Sequence, residues 1–516
     1  MPSPRQWAWL LTATVAALLA VWMRGWGYDD LYITYRYAAN IAQGVGFVYN
    51  PGEYVLSTTT PLYTLVLAFF RIAGADLPTV SLLMGAVSLA LGGLALWHLG
   101  QCWGSPAAAW VGLLVYPFFP LLVTTLGSEQ PFTLALVLWG TVAYAGRRYA
   151  AAALLLALAV LSRADSGIMA LILAFHYLFL RWRREEGGFP WSGVAAGGTI
   201  LLLWFGFAWV YFGSPLPATL AAKQAQGVMT ISQSYWIGFG MQAKQYGGNP
   251  RYWLFLASAG VGILFLIRRR QWLPIVLWSG AHLAAYSLLG VTRYFWYYAQ
   301  LVPGLIVLAG LGAEAAVVGM KRLTGRTAAT RSSQVRDLAG PHETPGGSIR
   351  QPAGSRTRLE QVLTRPGFYP TILAALLVMV MAGIEMASVR TISQHPDARL
   401  GIYQEVGEWL FANTPADASV GTLEVGIIGY YAQRPMIDFA GLLQPDVVQV
   451  FRPDATYDDT AQWAIEHHRP DYLVLQVGVL PRVDGSPMIA AACTEVHTVT
   501  QDGYPAPIRI LQCQWG

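Results

Sequence analysis

Residues 25–53 read GWGYDDLYITYRYAANIAQGVGFVYNPGE. They follow an apolar run, 7–26, of the length that crosses a bilayer, about 20 residues. Two adjacent acids, Asp29 and Asp30, stand where that run ends. One acid is enough to favour the start of the helix expected over 31–43, because the positive end of the helix dipole lies there. Two acids beside an apolar span are unfavourable unless each has a partner or a task. The same stretch carries Arg36, Asn40 and tyrosines at 28, 32, 35, 37 and 49, with Tyr54 just beyond. Such aromatics suit sugar rings, and they equally suit an interfacial belt.

The rest of the chain supplies the membrane. Of 516 residues, 55% are hydrophobic and 12% charged, about half the charge of a soluble domain. That composition predicts a polytopic α-helical membrane protein. Eleven spans are expected, at 7–26, 77–100, 107–126, 131–146, 150–162, 165–180, 193–213, 252–267, 272–290, 295–318 and 367–386. Residues 60–73 are apolar but short, the length of a re-entrant or interfacial helix. The start has no clean cleavage signal and reads as an uncleaved first helix.

Charge gives the sides. With the N-terminus in the cytoplasm, Arg147–Arg148, Arg181–Arg184, Arg268–Arg270 and Lys321–Arg322 all fall inside, as the positive-inside rule requires. Counting 60–73 as a span would turn every later cluster outward. In this topology the loop 27–76, Glu129, Arg163, Asp165, Lys223, Lys244, Arg293 and the C-terminal segment share the outer face. The chain carries +5 overall, but 321–365 holds nine Lys/Arg against three acids. The basicity therefore belongs to one loop, expected to be disordered and cytoplasmic, and it argues against a nucleic-acid partner.

The predicted organisation is a membrane bundle over 1–320 with the outer loop 27–76, the basic loop 321–365, a last span within 366–390, and an extracytoplasmic α/β domain over 391–516. In that domain Leu400, Tyr403, Val406 and Leu410 have helical spacing. ASVGTLEVGIIGYYAQRPMIDFAGL reads as strand, Gly-rich turn, strand. PDYLVLQVG reads as a buried strand and 493–513 as a hairpin. Cys493 and Cys513 lie on its two arms, and an oxidising compartment would allow them to pair. Cys102 is expected on the cytoplasmic side, free. His467–His468 read as surface histidines. No phosphate loop, dinucleotide fingerprint or Gly-x-Ser-x-Gly elbow is present.

DDLYITYRYAANIAQGVGFVYNPGE resembles the first outer loop of prokaryotic GT-C glycosyltransferases, which take a sugar from a polyprenyl-phosphate carrier. The nearest likeness is to bacterial arabinofuranosyltransferases and mannosyltransferase-like proteins. LGSEQPF (126–132), LSRADSG (161–167), GSPLPATLAAK (213–223), TRYFWYYAQLVP (292–303) and VGIIGYYAQRPMIDFAGLLQPDV (425–447) are similar to further elements of that branch, in order. Asp165 stands where Glu is more usual. The basic loop has no counterpart. The resemblance implies a first-loop acid as catalytic base.

Physical chemistry runs alongside. A polyprenyl phosphate departs without protonation, so the reaction needs a base for the acceptor hydroxyl and cations for the phosphate. Asp29 is the first choice as base and Asp30 the second, with Glu129 as a further carboxylate. Lys223 and Arg293 are the expected phosphate partners, Arg36 and Tyr294 further substrate contacts, and Arg163 with Asp165 a pair of either structural or binding use. Asp29 and Asp30 also have the hard oxygens that suit Mg²⁺ or Mn²⁺. The reading is therefore a bacterial plasma-membrane transferase moving a sugar, with inversion, onto a glycan, lipid or protein. Its rivals are a lipid-linked sugar flippase or other transporter, though no internal repeat is seen, and a non-catalytic scaffold. Convergence of Asp29, Glu129, Lys223 and Arg293 on one cavity separates them.

Overall fold

The computed structural model describes residues 3–186, 188–338 and 368–516. All eleven expected spans fall on helices. Among the described residues six helices are long and apolar enough to cross a membrane: Leu77–Cys102, Ala164–Trp182, Trp191–Phe212, Arg270–Leu289, Phe295–Arg322 and Ile372–Ser393. The first helix, Pro4–Trp22, is long enough but less apolar, and the others are shorter or broken. The span expected at 107–126 divides into Pro106–Leu114, a turn at Tyr116–Phe118 and Pro120–Val123, since Pro117 and Pro120 each remove a backbone donor. Residues 60–73 form the short helix Pro61–Ile72. The helix Val302–Leu338 continues well into the segment read as a basic loop, and 339–365 of that loop lie outside the described residues.

Small residues let the bundle close. A Cβ on Gly312 would overlap the Ser258 carbonyl, and one on Gly262 the Leu308 carbonyl. Helix Trp253–Leu266 and helix Val302–Leu338 therefore touch backbone to backbone, the packing that lipid, lacking a hydrophobic drive between helices, makes most favourable.

The outer domain is a five-stranded sheet, β1 Val420–Thr422, β2 Met436–Asp438, β3 Tyr472–Gln476, β4 Cys493–Val499 and β5 Ile508–Cys513, in the order β2-β1-β3-β5-β4. Strand β1 is parallel to β2 and β3, while β5 is antiparallel to β3 and β4. Cys493 faces Cys513 across the hairpin and the two form a disulfide. The GIIGYYA stretch, expected as a turn, is the helix Gly426–Ala432. Alternation along β3 divides its side chains. Leu473 and Leu475 pack with Phe439 and Ile465 on the far side, whereas Tyr472 and Val474 join a core that runs on through Ile427 and Ile428 to Tyr28, Tyr35, Tyr37 and Tyr49 of the first loop. The tyrosines of that loop are thus mostly buried packing between bundle and outer domain.

Candidate functional site

The first loop forms the helix Asp29–Ala42, with both acids in its first turn. Successive helical side chains diverge by about 100°, so neighbours face different surroundings. Asp29 faces the outer domain. Its Oδ2 accepts from the Gly426 amide and its Oδ1 from the Ile427 amide, each at 2.8 Å, and it is 4% exposed. Burial, helped by the Asp30 charge and opposed by those two amides, pushes its carboxyl up to about 6. Asp30 faces a cavity of about 220 Å³ between bundle and outer domain.

Glu129, Arg163, Asp165 and Lys223 line the same cavity. Arg163 sits in an extended link after helix Tyr149–Ser162, and its side chain donates to Glu129 Oε1 and Asp165 Oδ2, each at 2.7 Å, and to the Tyr286 hydroxyl at 3.0 Å. The Tyr286 hydroxyl donates in turn to Asp165 Oδ2 at 2.6 Å. Two carboxylates thus neutralise Arg163. Lys223, on helix Ala218–Val228, is placed differently. Its Nζ lies 3.6 Å from Asp30 Oδ2 and within 5.0–5.7 Å of the ring centres of Tyr294, Trp296 and Tyr297. An ammonium over aromatic faces is held in place without losing its donors. Burial would lower its pKa, but Tyr297 and Asp30 outweigh that and raise it, so Lys223 is a cation. The Ser57 and Thr219 hydroxyls, also on the cavity, are buried with no hydrogen-bond partner among the described residues.

The remaining expected site residues lie elsewhere. Asp29 is behind the cavity wall with both oxygens engaged. Arg36, 5% exposed, donates to the carbonyls of Tyr49, Gly429 and Arg434 and so joins the first loop to the outer domain. Arg293 turns away, donating to the Ser232 carbonyl at 3.3 Å and lying 3.5 Å from Met241 Sδ. Tyr294 stacks on Trp296 and bonds Gln226 Oε1 at 3.2 Å, giving Lys223 an aromatic face. Of the four residues whose convergence was the test, Glu129 and Lys223 share the cavity and Asp29 and Arg293 do not, so the expected convergence is met only in part; the acid that lines the cavity is the second choice, Asp30. Among the described residues no group of three or more His, Cys, Asp or Glu is arranged to hold a metal ion. With Asp29 sealed by amides, the acids here do not fit the divalent cation considered above. His467 is exposed and His468 pairs with Asp446 at 3.1 Å.

Sequence reasoning missed the Ser57–Thr60 run, Thr219, Tyr286 and Trp296. The first had a visible signal, four hydroxyls in a row before an apolar helix, and Thr219 and Trp296 lie within the stretches 213–223 and 292–303 quoted above without having been singled out.

The broken helical bundle, with its charged cavity under a packed outer α/β domain, is a fold already seen in solved membrane proteins. Two solved structures share it along most of the chain. One is ArnT from Cupriavidus metallidurans bound to undecaprenyl phosphate, at TM-score 0.57 and 16% identity over 98% of both chains. The other is the archaeal oligosaccharyltransferase AglB from Archaeoglobus fulgidus with an inhibitory peptide and a dolichol-phosphate. It matches at TM-score 0.55 and 12% identity, over 93% of this chain and 70% of that one. A family model described as a domain of unknown function, DUF8728, matches residues 390–507, the outer domain. No curated protein matches by sequence.

Proposed function

We propose that the chain is a multi-pass membrane glycosyltransferase. It moves a sugar from a polyprenyl-phosphate carrier to a hydroxyl of a glycan, lipid or protein acceptor on the extracytoplasmic face of a bacterial plasma membrane. One observation carries the reading: a single cavity beneath the outer domain holds a carboxylate, Asp30, and a cation, Lys223, paired at 3.6 Å. The fold supports it, since ArnT, with the same architecture, is solved with undecaprenyl phosphate in place.

In this mechanism Lys223 receives the donor phosphate and in doing so leaves Asp30. Asp30 then takes the proton of the acceptor hydroxyl as its oxygen attacks the anomeric carbon from the face opposite the phosphate. The new C–O bond forms, the anomeric C–O bond to phosphate breaks, and the polyprenyl phosphate leaves with the electron pair, so the anomeric centre inverts. Glu129, Arg163 and Asp165 form a fixed polar wall that orients the sugar hydroxyls. The Ser57 and Thr219 hydroxyls stand ready to bond the donor.

The test is turnover of a panel of polyprenyl-phosphate sugars by the purified chain in nanodiscs. Asp30→Asn should lower kcat by about 10²–10⁴, the usual contribution of a general base, with expression intact. Full turnover in Asp30→Asn together with loss of turnover in Asp29→Asn would return the base to Asp29. Full turnover in the double variant removes both.

A further inference from the structure

The order β2-β1-β3, with β1 parallel to both neighbours, makes the outer sheet change direction at β1. Connections leaving β1 and β3 diverge there, and open α/β sheets take their ligands in the crevice that opens at those carboxyl ends. A cavity of about 60 Å³ lies at that place, room for about four waters. Thr422 and Glu424 line it from the end of β1, Gln476 from the end of β3, and Tyr403 from the helix Arg399–Asn413. Val474 and Ile508 make an apolar wall.

The polar groups are incompletely paired. Glu424 Oε1 accepts from Arg399 at 3.3 Å, while Arg399 also holds Asp397 at 2.6 Å. Gln476 Oε1 accepts from the Tyr504 hydroxyl at 2.8 Å, and that hydroxyl lies 3.2 Å from the Tyr403 hydroxyl. The Gln476 amide nitrogen makes no hydrogen bond to any described residue. A carboxylate, a free amide N–H and hydroxyls beside an apolar wall match a guest whose groups both donate and accept. Sugar hydroxyls do this. A phosphate would find no Lys or Arg in the crevice lining, and a wholly apolar guest would leave the Gln476 donor unmet.

The crevice is tied to the larger cavity through Asp29: Glu424 stands two residues before Gly426, whose amide donates to Asp29 Oδ2 at 2.8 Å, and the next residue, Asp30, lines the 220 Å³ chamber. We infer that this switch-point crevice is a sugar subsite for the acceptor, holding the hydroxylated edge of one ring so that the rest of the acceptor reaches Asp30. The inference rests on the transferase reading for its purpose, but not for its chemistry.

Saturation-transfer NMR tests it, with the full chain in nanodiscs and a panel of methyl glycosides of hexoses and pentoses as probes. At least one glycoside should show transfer. Gln476→Ala should weaken that binding about five-fold, the effect of one lost neutral hydrogen bond, and Glu424→Gln should weaken it too. Thermal unfolding reports whether each variant is folded, and Gln476→Ala, half-exposed, carries the test if Glu424→Gln is not. Asp30→Asn should keep the signal while losing sugar transfer. Absence of signal for every glycoside, a signal untouched by Gln476→Ala, or binding of peptides in place of glycosides overturns the subsite and leaves the transferase reading standing. Full sugar transfer in both Asp30→Asn and the double variant Asp29→Asn/Asp30→Asn, with the glycoside signal still dependent on Gln476, overturns the transferase mechanism and leaves the subsite.

Discussion

Asp29 and Asp30 are neighbours with different work because the helix turns between them. Asp29 is a buried acceptor for two amides of the outer domain, and its carboxyl is raised to about 6 by burial. Glu424 beside it is raised well above the usual range, first by burial and then by Asp29. Both pKa values rise on folding, so the folded chain keeps protons that the unfolded chain releases. The stability this lends is complete below the unfolded values of about 4 and is lost as pH climbs through 6. The thermal midpoint should therefore fall between pH 4 and pH 7, and Asp29→Asn should flatten that slope; an unchanged slope would show that the amide cap does not titrate. Asp438, raised to about 7 by burial, adds a slope of the same sign in both proteins. Lys223 has a separate signature. Losing its charge-assisted bond to phosphate should raise the donor KM about 10- to 100-fold in Lys223→Met, with a smaller change in kcat than Asp30→Asn gives. Steady-state kinetics over donor concentration read the split.

Helices and strands show what packing decides. Gly312 and Gly262 let two helices meet at their backbones. Gly312→Val should destabilise the bundle by about 1–3 kcal/mol through overpacking. Gly260→Val, where nothing lies within 4 Å, should not. Size-exclusion profiles and thermal midpoints of the two variants compare them directly. The same scale explains how much could be read in advance. Apolar runs and basic turns locate helices because hydropathy acts residue by residue. The β3 strand was legible as a short apolar run and 493–513 as a hairpin, but GIIGYYA was not legible as a helix, since its Gly426 serves a contact: a Cβ there would overlap the Asp29 carbonyl. The two charges flagged in the outer loops show the same limit. Lys223 and Arg293 look alike in sequence, yet a bridge between Ser234 and Thr292 turns Arg293 toward Ser232, away from the cavity. Choosing Asp30 over Asp29 likewise depends on where the helix begins, at Tyr28, which no residue spacing discloses.

At the scale of the whole molecule, the basic turns and the cavity lie apart. The turn at Arg147 meets the turn at Glu186 at 3.3 Å, and Arg269 pairs with Glu314, while the cavity lies under the outer domain. The free cysteine, Cys102, is the last residue of the helix Leu77–Cys102, whose end adjoins the Arg270–Trp272 turn through Trp103. In sealed right-side-out vesicles an impermeant maleimide should leave Cys102 unlabelled until the membrane is opened, and should label a cysteine placed at the exposed Asp454 at once. Labelling of both from one side would separate the basic turns from the cytoplasm. The continuous tyrosine-rich core, with Arg36 donating to carbonyls on both units, has a practical outcome for anyone recombining proteins of this fold. A transplanted outer domain that did not place carbonyls where Gly429 and Arg434 present theirs would leave that buried guanidinium with the Tyr49 acceptor and unmet donors, an unfavourable state. The exchangeable cassette is consequently discontinuous in the gene: residues 25–53 travel with 390–516, and a chimera cut only at the last membrane helix separates the two.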